Sequence, residues 1–214
     1  MFHIDTGTTL IAQQSPEWFA MRVGKVTASC IADVMSAGRG SAPSATRANY
    51  MARIIAERLS GKWTETFTSA AMQWGIETEA TARAAYSAAS GNAVQDATFC
   101  QHPTIKWAGA TPDGIIGDDG LLEIKCPNTA THMQALLGAA IDSGYMKQMQ
   151  FQMACTGRAW VDFVSFDPRL PENLQLLVRR VERNDAMIAE IEAAVTTFLA
   201  EAEALIEKLR IREA

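Results

Sequence analysis

Between Thr111 and Pro127 the chain reads TPDGIIGDDGLLEIKCP, and this stretch restricts the fold more than any other. Two short apolar runs flank Gly117-Asp118-Asp119-Gly120, the pattern of a β-hairpin. Side chains alternate along a strand, so Glu123 and Lys125 share one face while Leu122 and Ile124 share the other. Asp113 lies ten residues before Glu123, at the start of the partner strand. A two-residue loop at Asp118-Asp119 sets Asp113 opposite Ile124, on the wrong face for a joint site with Glu123. A register centred on Asp118, made by a three-residue loop or a bulge, brings Asp113, Glu123 and Lys125 together.

Two carboxylates and a lysine arranged across a hairpin suit metal-dependent phosphodiester chemistry. Mg²⁺ prefers oxygen ligands and takes one or two carboxylates together with waters and substrate phosphate. Two such ions about 4 Å apart hold the attacking water and the departing oxygen of an in-line displacement. The Ile124 carbonyl, between the two side chains, adds an oxygen. Lys125 can lower the pKa of the attacking water or neutralise charge building on the phosphorane. Pro112-Asp113 followed by Glu123-Ile124-Lys125 resembles the PD-(D/E)xK nuclease signature.

The chain has 214 residues, a length that fits one sizeable domain. No run of about 18 apolar residues occurs, so no transmembrane helix is expected. MFHIDTGTTL lacks the charged start and apolar core of a signal peptide. Cys30, Cys100, Cys126 and Cys155 show no CxxC spacing and read as reduced, mostly buried thiols of an intracellular protein. His3, His102 and His132 are equally dispersed, which speaks against zinc. A net charge of −5 argues against a protein that coats DNA through a broad basic surface, but not against an enzyme acting on it.

Along the chain, Ser15-Pro16 starts a helix and Gly24 breaks it. Thr27 can cap a second helix running to about Met35. Arg22 and Ser29 flank that break, where a guanidinium and a hydroxyl near a helix start can receive a terminal phosphate. Helices are expected from about Ser44 to Leu59 and from Ser69 to Ser90, the second closed by Gly91. On the second, Glu77 and Glu79 lie about 200° apart, and Glu79 shares a face with Ile76 and Arg83. Glu79 is therefore the carboxylate expected to turn toward the hairpin, against the plain alternative of an i,i+4 surface pair with Arg83. Strands are expected over Ala93–Cys100, Ile105–Ala110, Ala159–Phe166 and Gln175–Val181. Helices are expected from Thr129 to Ala140, from Ser143 onward, and from Asn184 to the end. Met146, Met149 and Met153 form an apolar stripe, with Gln148 and Gln152 on another face. The acidic residues of the last helix are expected to face away from DNA or to pack across a subunit boundary.

Five ordered blocks, MRxGxxTAS, WGxxxE, TPDG, ExKCP and YxxQxQ, run from Trp18 to about Asp167. In this order they resemble the phage lambda exonuclease (YqaJ-type) branch of the PD-(D/E)xK nucleases. The resemblance implies an α/β restriction-endonuclease-like core, with a central mixed β-sheet built from the strands between Ala93 and Phe166 and flanked by helices. It implies a single nuclease domain over 1–214, ending in the long C-terminal helix. The activity implied is a Mg²⁺-dependent 5′ to 3′ exonuclease on double-stranded DNA ends, with two ions and with Mn²⁺ able to substitute. It would leave 3′ single-stranded tails for a single-strand annealing protein in homologous recombination. A homotrimeric ring around DNA, with no membrane association, in the cytoplasm of a bacterial host carrying the phage or prophage, is implied too.

Residue by residue, the resemblance gives Asp113, Glu123, the Ile124 carbonyl and Glu79 to the metals, and Lys125 to the attacking water. Arg22, Ser29 and Gln148 match the 5′-phosphate pocket. Arg39 matches a DNA-tracking arginine and Met72 an apolar wedge between strands. The competing functions are an endonuclease on the same core and a non-catalytic DNA-end-binding scaffold.

Overall fold

Short polar side chains start the longer helices, each accepting a hydrogen bond from a main-chain N–H that the first turn leaves free, a contribution of about 1 kcal/mol. The structure, a computed structural model, describes residues 11–38, 43–65 and 69–211. Ser15 caps α1 (Pro16–Arg22) by accepting from the Trp18 N–H at 3.1 Å. The backbone then turns at Gly24, whose φ is +66°. A Cβ there would meet Arg58 Cγ at 2.5 Å. The Gly24 N–H is held by the Glu57 carboxylate at 2.8 Å, and its carbonyl accepts from Arg58 Nε at 2.9 Å.

The helix expected from Thr27 to Met35 is not one helix. Val26–Thr27 is strand β1, paired in parallel with β4 (Ala108–Ala110), followed by a 3₁₀ turn (Ala28–Cys30) and the single turn α2 (Ile31–Val34). Thr27 makes no side-chain cap, because its backbone is committed to the sheet.

Helix α3 (Ala45–Ser60) is capped by Ser44 and ends at Gly61 in the left-handed region. Helix α4 (Ala70–Ser90) is capped by Ser69 and ends at Gly91, also left-handed. The two long strands expected between Ala93 and Ala110 are broken into β2 (Val94–Gln95), β3 (Cys100–Gln101) and β4. They serve different sheets: β2 pairs with β5 (Gly114–Ile116), whereas β3 pairs with β4. After β6 (Gly120–Lys125) come α5 (Thr129–Leu136), shorter than expected, and α6 (Ser143–Thr156). Strands β7 (Trp160–Phe166) and β8 (Leu176–Glu182) follow, then α7 (Asp185–Arg210).

The larger sheet has the order β2-β5-β6-β7-β8, with β6 and β7 parallel and its other pairs antiparallel. The smaller has the order β1-β4-β3. The sheet therefore reaches beyond Phe166 to include β8, and Val26–Thr27 joins the second sheet from far upstream. Its side chains segregate by the strand period of two. Leu121, Val161 and Phe163 join the core shared with α3, α6 and α7, whereas Leu122, Ile124 and Val164 pack with Ala82 and Tyr86 of α4. Met149 and Met153 are buried in the first core, as their stripe suggests.

Some acidic residues of α7 pair within the chain. Glu201 pairs with Arg47 at 2.8 Å, Glu203 with Arg58 at 3.2 Å and Glu192 with His102 at 3.0 Å, so three of them tie the helix to its own chain. All four thiols are free, but only Cys155 is buried; Cys30, Cys100 and Cys126 are half-buried.

Candidate active site

The hairpin decides where the charged groups meet. Gly114 pairs with Leu122, Ile115 with Leu121 and Ile116 with Gly120, leaving the three-residue loop Gly117-Asp118-Asp119 centred on Asp118. Gly117 takes φ +51°, which a side chain would strain. In this register the Asp113 N–H donates to the Leu122 carbonyl at 3.1 Å, and Asp113 Oδ2 accepts from the Ile124 N–H at 2.7 Å. Asp113 thus stands beside Glu123, on the face of β6 that carries Lys125.

Helix α6 packs on that face and completes the surroundings of Glu123, which is 1% exposed. Its Oε1 accepts from Lys125 Nζ and from Gln148 Nε2, each at 2.6 Å. Its Oε2 accepts from Gln152 Nε2 at 2.6 Å. From the other side, α4 brings half-buried Glu79 into the same cleft, while Glu77 points to solvent and accepts from Gln73 at 2.7 Å. Arg83 donates to Asp96 at 3.0 Å and to the main-chain carbonyl of Asp113.

Negative charge is in excess here. Burial raises the Asp113 pKa well above the carboxylate range, the Glu123 charge adds to that, and Lys125 opposes it. Burial likewise raises Glu79, with Arg83 opposing and Glu123 adding. Burial alone would favour a neutral Lys125, but Glu123 and Asp113 outweigh it and hold the ammonium charged. Burial first, then Glu79 and Asp113, push the Cys126 thiol up to about 11.

The same cleft, about 470 Å³, is lined by Arg22, Ser29, Met72, Glu79, Asp113, Glu123, Ile124, Lys125 and Gln148. Arg22 lies over the Trp18 ring at 3.8 Å from its centroid, with Trp63 at 5.6 Å. Burial lowers its pKa to about 10, and its Nε is buried with no hydrogen-bond partner among the described residues. A stacked guanidinium with an unused donor is prepared for an anion. Ser29 is exposed on the 3₁₀ turn against which α6 packs. Met72 is 52% exposed. Arg39 lies outside the described residues.

Residues 17–159 match the model of the YqaJ-like viral recombinase domain. The chain belongs to this family. It is 51% identical to the alkaline exonuclease LHK-Exo from Laribacter hongkongensis, covering 93% of this chain and 98% of that one with a TM-score of 0.86. LHK-Exo in complex with dAMP matches equally, at 51% identity and a TM-score of 0.86. A phage-related exonuclease from Haemophilus somnus 129PT shares the fold at a TM-score of 0.69 and 16% identity, over 86% of this chain and 96% of that one. No curated protein matches the chain. Membership supports a nuclease role in recombination, in a family of restriction-endonuclease-like fold that uses divalent metal ions.

The cleft suits such an ion. Asp113, Glu123 and the Ile124 carbonyl offer hard oxygen donors, and a cation would offset the burial and the Glu123 charge that raise Asp113 and Glu79. Among the described residues no three His, Cys, Asp or Glu side chains gather into a cage of their own. This fits an ion that retains waters and takes further oxygens from substrate.

Three contributors escape a reading of the sequence by motif, and a fourth, Tyr145, stands in the YxxQxQ block with no role assigned to it there. Gln152 grips Glu123 from within the core, Trp18 carries Arg22, Arg83 holds the Asp113 main chain, and the Tyr145 ring lies 4.8 Å from Lys125 Nζ. The i,i+4 spacings of Trp18 with Arg22 and of Gln148 with Gln152 are signals by which two of these could be found.

Proposed function

We propose that this chain, as a single nuclease domain over residues 1–214, is a divalent-cation-dependent 5′ to 3′ exonuclease on double-stranded DNA ends. It leaves 3′ tails for a single-strand annealing protein, and it works as a homotrimer in the bacterial cytoplasm as a phage or prophage product. The observation that carries this reading is the convergence of Asp113, Glu123 and Lys125 in one cleft with Arg22, whose Nε has no hydrogen-bond partner among the described residues. LHK-Exo, an alkaline exonuclease solved with dAMP, supports it from the side of kinship.

Asp113, Glu123, the Ile124 carbonyl and Glu79, which line the cleft together, would hold two Mg²⁺ ions, with Mn²⁺ able to replace them. Such ions, when bound, would supply Lewis-acid polarisation of the scissile phosphate and a lowered pKa for the attacking water. Lys125 Nζ orients that water and offsets the negative charge gathering on the phosphorus centre. Arg22, Ser29 and Gln148 receive the terminal 5′-phosphate, and Met72 on the cleft rim separates the first base pair. Arg39 follows the duplex.

Water attacks phosphorus and the P–O3′ bond breaks. The released unit is a 5′-mononucleotide with a 3′-hydroxyl, and the shortened strand keeps a 5′-phosphate. Each cut thereby renews the group that the Arg22 side of the cleft recognises. The test is the product of digesting a 5′-phosphorylated linear duplex beside a covalently closed circle. Release of 5′-mononucleotides with the circle spared is expected. A nicked or linearised circle would mark an endonuclease, and binding without cleavage that persists in chelator would mark a scaffold.

A further inference from the structure

Glu123 is offered to a cation, yet one of its two oxygens is fully taken. Oε1 receives Lys125 and Gln148, and Oε2 receives Gln152, all at 2.6 Å. A carboxylate oxygen has two in-plane acceptor directions. At Oε1 both are filled, so an ion can bind there only if a donor leaves.

The three donors differ in freedom. Gln152 is fully buried inside α6, with Phe151 and Met153 in the core on either side of it in sequence. Lys125 sits on the same strand as Glu123, two residues away, and its charge answers Asp113 as well as Glu123. Gln148 is one turn nearer the helix start, half-buried, and lines the open cleft with Arg22 and Ser29. Its carboxamide is the neutral donor with somewhere else to go.

We propose that Gln148 is a specificity-determining gate, rather than only a phosphate ligand. In the free protein it occupies Glu123 Oε1. A 5′-terminal phosphate, placed between Arg22, Ser29 and Gln148, draws the carboxamide off Glu123 and opens Oε1 to the divalent cation. Gln152 stays on Oε2 and keeps the carboxylate plane fixed. Cation loading at Oε1 is thereby conditional on a correctly phosphorylated end. By linkage, the cation must tighten binding of that end by the same factor that the end tightens the cation. This rests on the proposed function, from which it takes the cation and the terminal phosphate.

The test reads bound Mn²⁺ by electron paramagnetic resonance, without turnover. The ligand is a blunt duplex with a non-hydrolysable phosphonate at its first linkages, carrying either a 5′-phosphate or a 5′-hydroxyl. The phosphorylated end should tighten Mn²⁺ binding at least about fivefold over the hydroxyl end, within the usual range of coupling between sites. Gln148→Met, of similar length and without the donor, should bind Mn²⁺ more tightly in the absence of DNA and show equal affinity with the two ends. Gln152→Met should weaken Mn²⁺ with either end, and leave the ratio between them in place.

Equal Mn²⁺ affinity for the two ends in the unaltered protein, with digestion of DNA intact, would overturn the gate and spare the nuclease. A difference that persists in Gln148→Met would also overturn it, since the phosphate charge alone would then be the cause. No Mn²⁺ bound under any condition would overturn both readings. The comparison of the two ends in the unaltered protein needs no variant to fold.

Discussion

Two buried carboxylates sit on neighbouring strands of one sheet and face opposite sides of it. Asp162 on β7 is 4% exposed and lies across from Leu122, while Glu123 on β6 is 1% exposed and lies across from Phe163. Asp162 is closed: Arg180 grips it with Nε at 2.9 Å and a second nitrogen at 3.0 Å, and the Tyr86 hydroxyl donates at 2.7 Å. Arg180 in turn lies 3.6 Å over the Trp160 ring. One charge answers one charge, and the result is an anchor between α4 and the sheet. Glu123 has as many donors, but Asp113 and Glu79 share its cleft, where burial first and then the Glu123 charge raise the pKa of both. The same kind of group, equally buried, therefore serves the fold on one face and is kept short of positive charge on the other. Such a shortage is characteristic of functional sites.

The difference can be broken most sharply at Lys125. Lys125→Ala should lower cleavage by about 10²–10³-fold or more, the scale of losing a donor aimed at transition-state charge. Duplex binding should survive in a gel-shift assay. Undiminished turnover by this variant would remove Lys125 from the chemistry.

Arg22→Ala should cost about 10–100-fold on 5′-phosphorylated ends, the size of one or two charge-assisted hydrogen bonds. Digestion of hydroxyl ends should change far less. Equal losses on both kinds of end would put the phosphate pocket elsewhere.

On the closed side, Asp162→Asn should lower unfolding stability by about 1–3 kcal/mol, with Arg180 half in solvent and so below the cost of a fully buried pair. Denaturant titration measures it, and Mn²⁺ affinity should not move. A change in cation affinity as large as the change in stability would deny that the two networks are separate.

The smallest effect concerns pH. The metal-free fold holds the Asp113 carboxyl protonated to higher pH than the unfolded chain does, because of burial and then Glu123. Its contribution to stability therefore falls as pH rises from the ordinary carboxylate pKa through the raised one. Metal-free Asp113→Asn should lose that slope and gain about 2–4 °C in melting temperature at neutral pH for each kcal/mol relieved. Mg²⁺ should stabilise the unaltered protein and not the variant. An unaltered slope would mean that Asp113 is not the group under strain.

Much of this was legible in the residues. Alternation on β6 and the need to join Asp113 to Glu123 required a loop centred on Asp118, and the register agrees. Helical angles separated Glu79 from Glu77, and Ser15, Ser44, Ser69 and Asn184 cap the helices they precede. The rest depends on pairing across long separations. Val26–Thr27 becomes a strand because β4 is beside it, and the stretch from Ala93 to Ala110 breaks because its ends pair with different sheets. Local propensity carries no sign of either. The Trp18 Nε1 bond to Thr111 at 3.1 Å, which ties the Arg22 platform to the hairpin, spans 93 positions and leaves no local trace.

The cleft is proposed to cut DNA inward from a 5′ end with a divalent cation. Time-resolved digestion of a linear duplex labelled at either the 5′ or the 3′ terminus, with Mg²⁺ and with chelator, tests it most directly. The 5′ label should be released first, as a mononucleotide, with the 3′ label retained on long single strands and no release in chelator. Early loss of the 3′ label, or release that continues without a divalent cation, would contradict the claim.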